Sequence, residues 1–320
     1  MTMATEKERE PEQPEVPDSR TVSRSQFLQA GIAGLGAVGA TAAALEPLKK
    51  IDDYPTFDEF FQKHYKELSK EEMAKILERT RTRVKKKYGV DVTVSDPKPI
   101  EGVEFAYALN IGRCVGCRKC VYACMKENNQ SREPQNQYIR VLKMKKGSID
   151  VETSEHRYED ETVPTKDHYF MPVQCHQCRK APCVKACPVQ ATWQEEDGII
   201  AIDYDWCIGC RYCMAACPYG ARVFNWAEPK IRPEEINTDM SYLGNRPKKK
   251  GVVEKCHFCM QRTRKGKYPA CVEVCPTGSR KFGNILDPKS EVSQILANKR
   301  VFIFKEEVGT LPRFYYYFDV

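Results

Sequence analysis

Residues 207–218 read Cys-Ile-Gly-Cys-Arg-Tyr-Cys-Met-Ala-Ala-Cys-Pro. Cysteines stand at 207, 210, 213 and 217, so the spacing is Cys-x2-Cys-x2-Cys-x3-Cys. That is the bacterial iron–sulfur run, and its geometry explains the spacing. A cubane needs four thiolates at tetrahedral corners. Three cysteines on one tight loop wrap three irons. The fourth, expected just inside a following helix, points too far round to reach the same cube and is left for a neighbouring cluster.

Three more groups surround this one. Cys114, Cys117, Cys120 and Cys124 repeat the spacing unchanged. Cys175, Cys178, Cys183 and Cys187 lengthen the second gap. Cys256, Cys259, Cys271 and Cys275 stretch it to eleven residues between Cys259 and Cys271. All sixteen cysteines fall in these groups. Pro188, Pro218 and Pro276 follow the last cysteine of three groups and are expected at the first position of a helix, where a missing N–H costs nothing. Met125 stands there in the first group. This leaves Cys124 a candidate ligand but makes the turn after it different.

Two other uses of cysteine compete. An exported chain with an even count could hold disulfides, but a disulfide framework does not repeat a two-residue gap in every group. Paired Cys-x2-Cys units bind zinc, but zinc motifs seldom carry a third cysteine at that gap and a fourth followed by proline. His176 and His257 lie inside two groups, and histidine replaces cysteine in Rieske centres. Since each group already has four thiolates, both are read as packing around the ligands. Trp206 is read as a shield for the cluster beside it.

The rest of the chain is organised around this region. Residues 1–20 are charged and proline-bearing, the composition of a disordered arm. From Gln26 an uncharged Gly- and Ala-rich stretch runs to Leu45, near the length of a spanning helix but too weakly apolar for one. A basic leader, mild apolar core and small residues at 42–44 read better as an export signal. Residues 46–100 are expected to form a helical hairpin and linker, with capping-box spacings at Thr56/Glu59 and Ser69/Glu72. Phe60, Phe61, Tyr65 and Leu68 line the first helix; Met73, Ile76, Leu77 and Val84 line the second, which Gly89 stops. Strands are expected at 138–144 and within Gly198–Asp203. A polar segment runs from 231 to 250. Phe314–Phe318 reads equally as a closing strand or as a strip against a partner.

The net charge of +7 gathers at Arg79, Arg81, Arg83 and Lys85–Lys87, and at Lys248–Lys250. Both runs read as solvated faces; the functional alternatives are an acidic partner or an anionic membrane surface. No helix-turn-helix, RNA-recognition or zinc-finger spacing appears, which argues against nucleic acid. No flavin, nicotinamide or molybdenum motif appears either. The glycines at 31–39 have no preceding strand.

Longer stretches resemble the iron–sulfur (electron-transfer) subunits of molybdopterin oxidoreductases of the dimethyl sulfoxide and polysulfide reductase type, with related hydrogenase and respiratory-complex subunits. The matching stretches are Arg113–Cys120, Cys207–Ala221, Lys255–Cys259, Cys275–Gly278 and Val308–Pro312. Ser23-Arg-Ser-Gln-Phe-Leu28 is similar to the twin-arginine export signal, with Ser25 in place of the second arginine.

The resemblance implies an α+β fold of two interlocked bacterial-ferredoxin-like halves (βαββαβ type) with insertions and an N-terminal helical segment. The tandem four-cluster domain spans 101–300, with groups two and three (170–225) nested between groups one and four, and the C-terminal strand and tail follow at 301–320. It implies four [4Fe–4S] clusters as cofactors. Cys114, Cys117, Cys120 and Cys275 would hold one; Cys256, Cys259, Cys271 and Cys124 the second; Cys175, Cys178, Cys183 and Cys217 the third; Cys207, Cys210, Cys213 and Cys187 the fourth. It implies a non-catalytic subunit relaying electrons between a multi-spanning quinone-interacting membrane subunit and a molybdopterin-type or cytochrome subunit. Its expected place is at the membrane, on the periplasmic or outer face, with the cytoplasmic face as the alternative. A freestanding soluble ferredoxin and a self-sufficient reductase are the rivals.

Overall fold

A run of alternating size, Phe105-Ala-Tyr-Ala-Leu-Asn110, forms a strand buried along its whole length. The computed structural model that shows this describes residues 62–158 and 163–319. Side chains of a strand alternate between faces. Phe105, Tyr107 and Leu109 therefore join the main core, while Ala106 and Ala108 meet Val292 on the opposite face. Val292 belongs to helix Glu291–Asn298, capped by Ser290. Two alanines leave room for that helix to lie close to the sheet.

This strand is one of the two central strands of a four-stranded sheet. It pairs antiparallel with Arg280–Asn284 and parallel with Phe314–Tyr317, which pairs in turn with Val301–Phe302. Phe314–Tyr317 is buried throughout. Tyr107 stacks on Phe314 with ring centroids 4.7 Å apart. The aromatic tail is thus a closing strand, and of its aromatics only Phe318 is exposed.

The other pairings follow the cysteine groups. The strand before group one, 105–110, pairs with the strand after group four, 280–284. Thr192–Gln194, after group two, pairs antiparallel with Ile200–Ile202, before group three. Arg222–Phe224, after group three, pairs with Val253–Lys255, before group four. Arg140–Lys145 pairs with His168–Val173. The strand expected at 138–144 begins two residues later, and the one expected within 198–203 is present.

Helix Lys70–Tyr88 carries the expected Ser69/Glu72 capping box and ends at Gly89 in the left-handed region. It buries Ile76, Thr80 and Val84. Its expected partner helix is not found among the described residues. Tyr65–Glu67 is a single 3-10 turn, because Tyr65 is drawn onto the core, where its ring stacks on Trp193 at 5.3 Å. The signal-like segment 1–45, the Thr56/Glu59 capping spacing, Phe60 and Phe61 lie outside the described residues. Among the described residues no helix is long and apolar enough to cross a membrane.

The polar segment is partly buried, and the reading of one basic run is corrected. Within 231–250, Tyr242, Leu243, Asn245, Arg246 and Lys248 are buried. Their polar groups satisfy backbone that would otherwise be orphaned: Asn245 Nδ2 donates to Glu127 and Asp239 carbonyls at 3.1 and 2.9 Å, and Arg246 Nε to Tyr242 O at 2.7 Å. The 248–250 run is not a solvated loop throughout, since Lys248 Nζ donates to Gly244 O and Arg246 O at 2.6 and 2.7 Å.

Candidate metal centres

Each group opens on a Cys-x-x-Cys loop whose second intervening residue has positive φ: Gly116 (80°), Gln177 (46°), Gly209 (70°) and Phe258 (53°). This bend turns two thiols toward one side of the loop. At Gly116 a Cβ would run into the Phe170 ring, and at Gly209 into the Gly251 carbonyl. The bends also bring backbone donors to sulfur, as expected of Val115-Gly116 and Ile208-Gly209. The Gly116 N–H bonds Cys114, the Gly209 N–H bonds Cys207 and the Phe258 N–H bonds Cys256.

The fourth cysteines correct one expectation. Cys187, Cys217 and Cys275 do not sit inside a following helix; each comes just after a four-residue helix, Pro182–Lys185, Tyr212–Ala215 or Ala270–Glu273. The prolines after them stand in turns, not at helix starts. Each turn closes the same way, with the N–H of Gln190, Gly220 or Gly278 donating to the carbonyl of the cysteine three residues back, at 3.3, 3.2 and 3.3 Å. Proline cannot continue a helix. Where Met125 replaces it, helix Lys119–Glu127 runs on for three residues past Cys124.

The fold brings cysteines of different groups close together, in neighbourhoods of three or four. Cys114, Cys117, Cys120 and Cys275 line one cavity. Cys124 lies among Cys256, Cys259 and Cys271. Cys178 lies among Cys175, Cys183 and Cys217. Cys207 neighbours Cys187 and Cys210, and Cys213 neighbours Cys207 and Cys187. Consecutive quartets touch electrostatically: Cys120 with Cys271, and Cys256 with Cys175. The Arg222 guanidinium bridges the last two through Cys183 and Cys213. The quartets thus form a row. Among the described residues no three His, Cys, Asp or Glu side chains stand as a ready-made set for a single metal ion.

Burial raises several of the thiols. It pushes Cys114, Cys178 and Cys256 up to about 12 and Cys213 to about 11. Burial raises Cys275 as well, but the Thr277 hydroxyl and the Thr277 and Ser279 N–H groups outweigh it and leave the thiol below its usual value. Buried thiolates need cationic or metallic compensation. Part of it is present as Arg222 Nη2, 3.1 Å from Cys183 Sγ. Gln130 Nε2 lies 3.2 Å and Asn128 Nδ2 3.4 Å from Cys124 Sγ. The Arg280 guanidinium lies beside Cys120 and Cys271, and donates to Tyr107 Oη and Gln174 Oε1 at 2.9 Å each. Arg280 Nη2, Arg222 Nε and Arg118 Nε are buried without a hydrogen-bond partner. Unpaired donors beside rows of soft sulfur fit an anionic iron–sulfur group at each quartet.

His176 and His257 both pack beside the quartets. His176 stacks on Tyr219 at 3.9 Å, and burial pushes it down to about 3. The His257 ring lies edge-on to Tyr138 at 6.4 Å. Trp206 is buried against Val189, Ala191, Cys187 and Cys207 and donates Nε1–H to Val189 O at 2.7 Å, the position of a shield. Arg222, Arg280, Asn128 and Gln130 were not singled out in the sequence. A signal existed for two of them: Arg222 and Arg280 each stand five residues after a fourth cysteine, Cys217 and Cys275.

The 4Fe-4S dicluster domain family matches residues 113–191, and again 166–248 and 234–285. The chain is 45% identical over 205 residues to a putative dimethyl sulfoxide reductase iron-sulfur subunit of Halobacterium salinarum, covering 64% of this chain and 75% of that one. It is 38% identical over 237 residues to a selenate reductase subunit of Mesobacillus selenatarsenatis, covering 71% and 76%. It is 36% identical over 251 residues to an Hdr-like menaquinol oxidoreductase iron-sulfur subunit of Archaeoglobus fulgidus, covering 70% and 87%. The ferredoxin-like α+β fold, the sixteen cysteines and these likenesses agree: the chain belongs to the iron–sulfur electron-transfer subunit family of molybdopterin oxidoreductases, with four [4Fe–4S] clusters as its cofactors.

Proposed function

We propose that the chain relays single electrons between a quinone-interacting membrane subunit and a molybdopterin-type or cytochrome subunit. The row of quartets, each touching the next, carries this reading. Each bound [4Fe–4S] cluster supplies a one-electron site. The ligand sets are Cys114, Cys117, Cys120 and Cys275; Cys124, Cys256, Cys259 and Cys271; Cys175, Cys178, Cys183 and Cys217; and Cys187, Cys207, Cys210 and Cys213. The chain does the rest: loop N–H groups and Arg222, Arg280, Asn128 and Gln130 stabilise charge on sulfur, and burial excludes water.

The same reading makes residues 101–300 two interlocked halves, with groups two and three (170–225) nested between groups one and four. Residues 62–100 pack alongside, 301–319 close the sheet, and 1–45 serve export or tethering. It places the chain against the outer face of a membrane through its partner subunits. The names of relatives support the link to a quinone-using reductase complex: besides the menaquinol oxidoreductase subunit, a polysulfide reductase chain of Wolinella succinogenes is 34% identical over 203 residues.

Purification from native membranes tests the reading. Expected are co-purifying membrane and catalytic subunits, clusters reduced by quinol or by the catalytic subunit, and no substrate turnover by the isolated chain. Turnover by the chain alone would overturn the carrier role. A stable monomer without partners in membranes would favour a soluble shuttle.

A further inference from the structure

Arg280 opens strand Arg280–Asn284, opposite Leu109 of the central strand. It is 3% exposed. Its side chain lines the cavity of the first quartet beside Cys114, Cys117, Cys120 and Cys275. Its hydrogen bonds lead to the second quartet. Nη1 donates to Tyr107 Oη at 2.9 Å, and that oxygen lies 3.5 Å from Cys271 Sγ. Nη1 also donates to Gln174 Oε1 at 2.9 Å, and Gln174 Nε2 lies 4.0 Å from Cys256 Sγ. One cation therefore reaches two quartets.

Both of its acceptors are neutral, and Arg280 Nη2 is buried with no hydrogen-bond partner. The charge is left for sulfur, and it bears on Cys120 of one quartet and Cys271 of the other. An arginine stays protonated in a protein, and a buried charge is screened little by water. The placement recurs. Arg222 stands five residues after Cys217, as Arg280 does after Cys275. It bears on Cys183 and Cys213, one in each of the other two quartets.

We propose that Arg280 is a fixed charge shared by two clusters, raising the reduction potentials of both together. These are the clusters of Cys114, Cys117, Cys120 and Cys275 and of Cys124, Cys256, Cys259 and Cys271. One added electron makes the sulfurs more negative, and the guanidinium favours that state. Because it acts on both sites, the step between them changes little while the pair is raised against the rest of the row. The proposal rests on the cluster reading, which iron and sulfide in the natural protein test separately.

The test is a redox titration of the full-length, cluster-loaded protein with dithionite, followed by EPR, with iron and sulfide counted in every sample. Arg280→Gln removes the charge and keeps a polar amide. Lys281→Gln is the charge control: it lies on the opposite side of the strand, where Lys281 pairs with Glu291 at 2.9 Å. Arg280→Lys keeps a cation without the fork. In Arg280→Gln, with iron at the natural level, two of the four potentials are expected to fall. The fall is about tenfold or more in the oxidised-to-reduced ratio, about 59 mV for one electron. The control leaves all four in place, and Arg280→Lys holds both affected potentials above those of Arg280→Gln. A fall in one potential, in all four or in none overturns the proposal, as does an equal fall in the control. If Arg280→Gln sheds iron, Arg280→Lys is read in its place. Full iron with both potentials within about threefold of the natural ratio supports the shared charge. Lost iron, or a fall of about tenfold, overturns it.

Discussion

A single guanidinium shows how much side chains around the sulfurs contribute. Arg222 is buried, touches Cys183 Sγ at 3.1 Å and Thr192 Oγ1 at 3.0 Å, and faces Cys213 as well. A cation beside sulfur favours the more negative, reduced state of a cluster. Arg222→Gln is expected to lower the potential of the neighbouring cluster on the order of 50–100 mV, the one-electron equivalent of a charge-assisted hydrogen bond. A redox titration followed by EPR reads it, and an unchanged set of potentials would deny Arg222 that role. Gly209 makes a different demand. Gly209→Ala adds a Cβ into the Gly251 carbonyl at a positive φ, so the loop must open. The expected result is loss of about one cluster's iron, near four atoms per chain, with the other clusters kept. Arg222 was illegible in the sequence because an arginine carries no spacing signature by itself; only the matching position of Arg280 after Cys275 marks it.

Helices and strands are where sequence and structure part. Helix Lys70–Tyr88 was legible because its cap, face and stop are local signals. The 3-10 turn at Tyr65–Glu67 was not, since stacking of Tyr65 on Trp193 and Tyr242 is a tertiary choice. Nor were the buried Arg246, paired with Asp205 far away in the sequence, and Lys248, whose partners are backbone carbonyls that no pattern announces. Met125 decides the length of helix Lys119–Glu127, and the extra turn presents Asn128 and Gln130 to Cys124. Met125→Pro is expected to cost about 3 kcal/mol and lower the unfolding midpoint, with loss of the cluster beside Cys124; a stable variant with full iron would show that the longer helix is incidental.

Glu104, just before the central strand, ties Arg179 and Arg313 together, with Arg179 Nε and Nη2 at 2.8 and 2.9 Å. The Arg179 hydrogen bond, then that of Arg313, hold its carboxyl down at about 2, from 4.5. A depressed folded value means stability present above pH 4.5 and lost as pH falls through about 2. The unfolding-midpoint gap between the natural protein and Glu104→Gln is expected to be full at neutral pH and to shrink across that window. A gap independent of pH would remove the carboxylate from the account.

At the scale of the whole molecule, the row of quartets makes one object of four sequence-distant groups. The cysteine spacing announced four clusters, and the exchange of fourth cysteines between groups came from the family resemblance. Strand pairing supplies the physical means: 105–110 with 280–284 brings group one to group four, and 192–194 with 200–202 brings group two to group three. The central claim is that these quartets hold iron–sulfur cubanes. Iron, acid-labile sulfide and zinc per chain, measured on anaerobically purified protein, test it most directly. The account predicts about sixteen irons and about sixteen sulfides, with EPR spectra of interacting clusters on reduction. About four zinc ions and no sulfide would contradict it, and the chain would then be a zinc-stapled module.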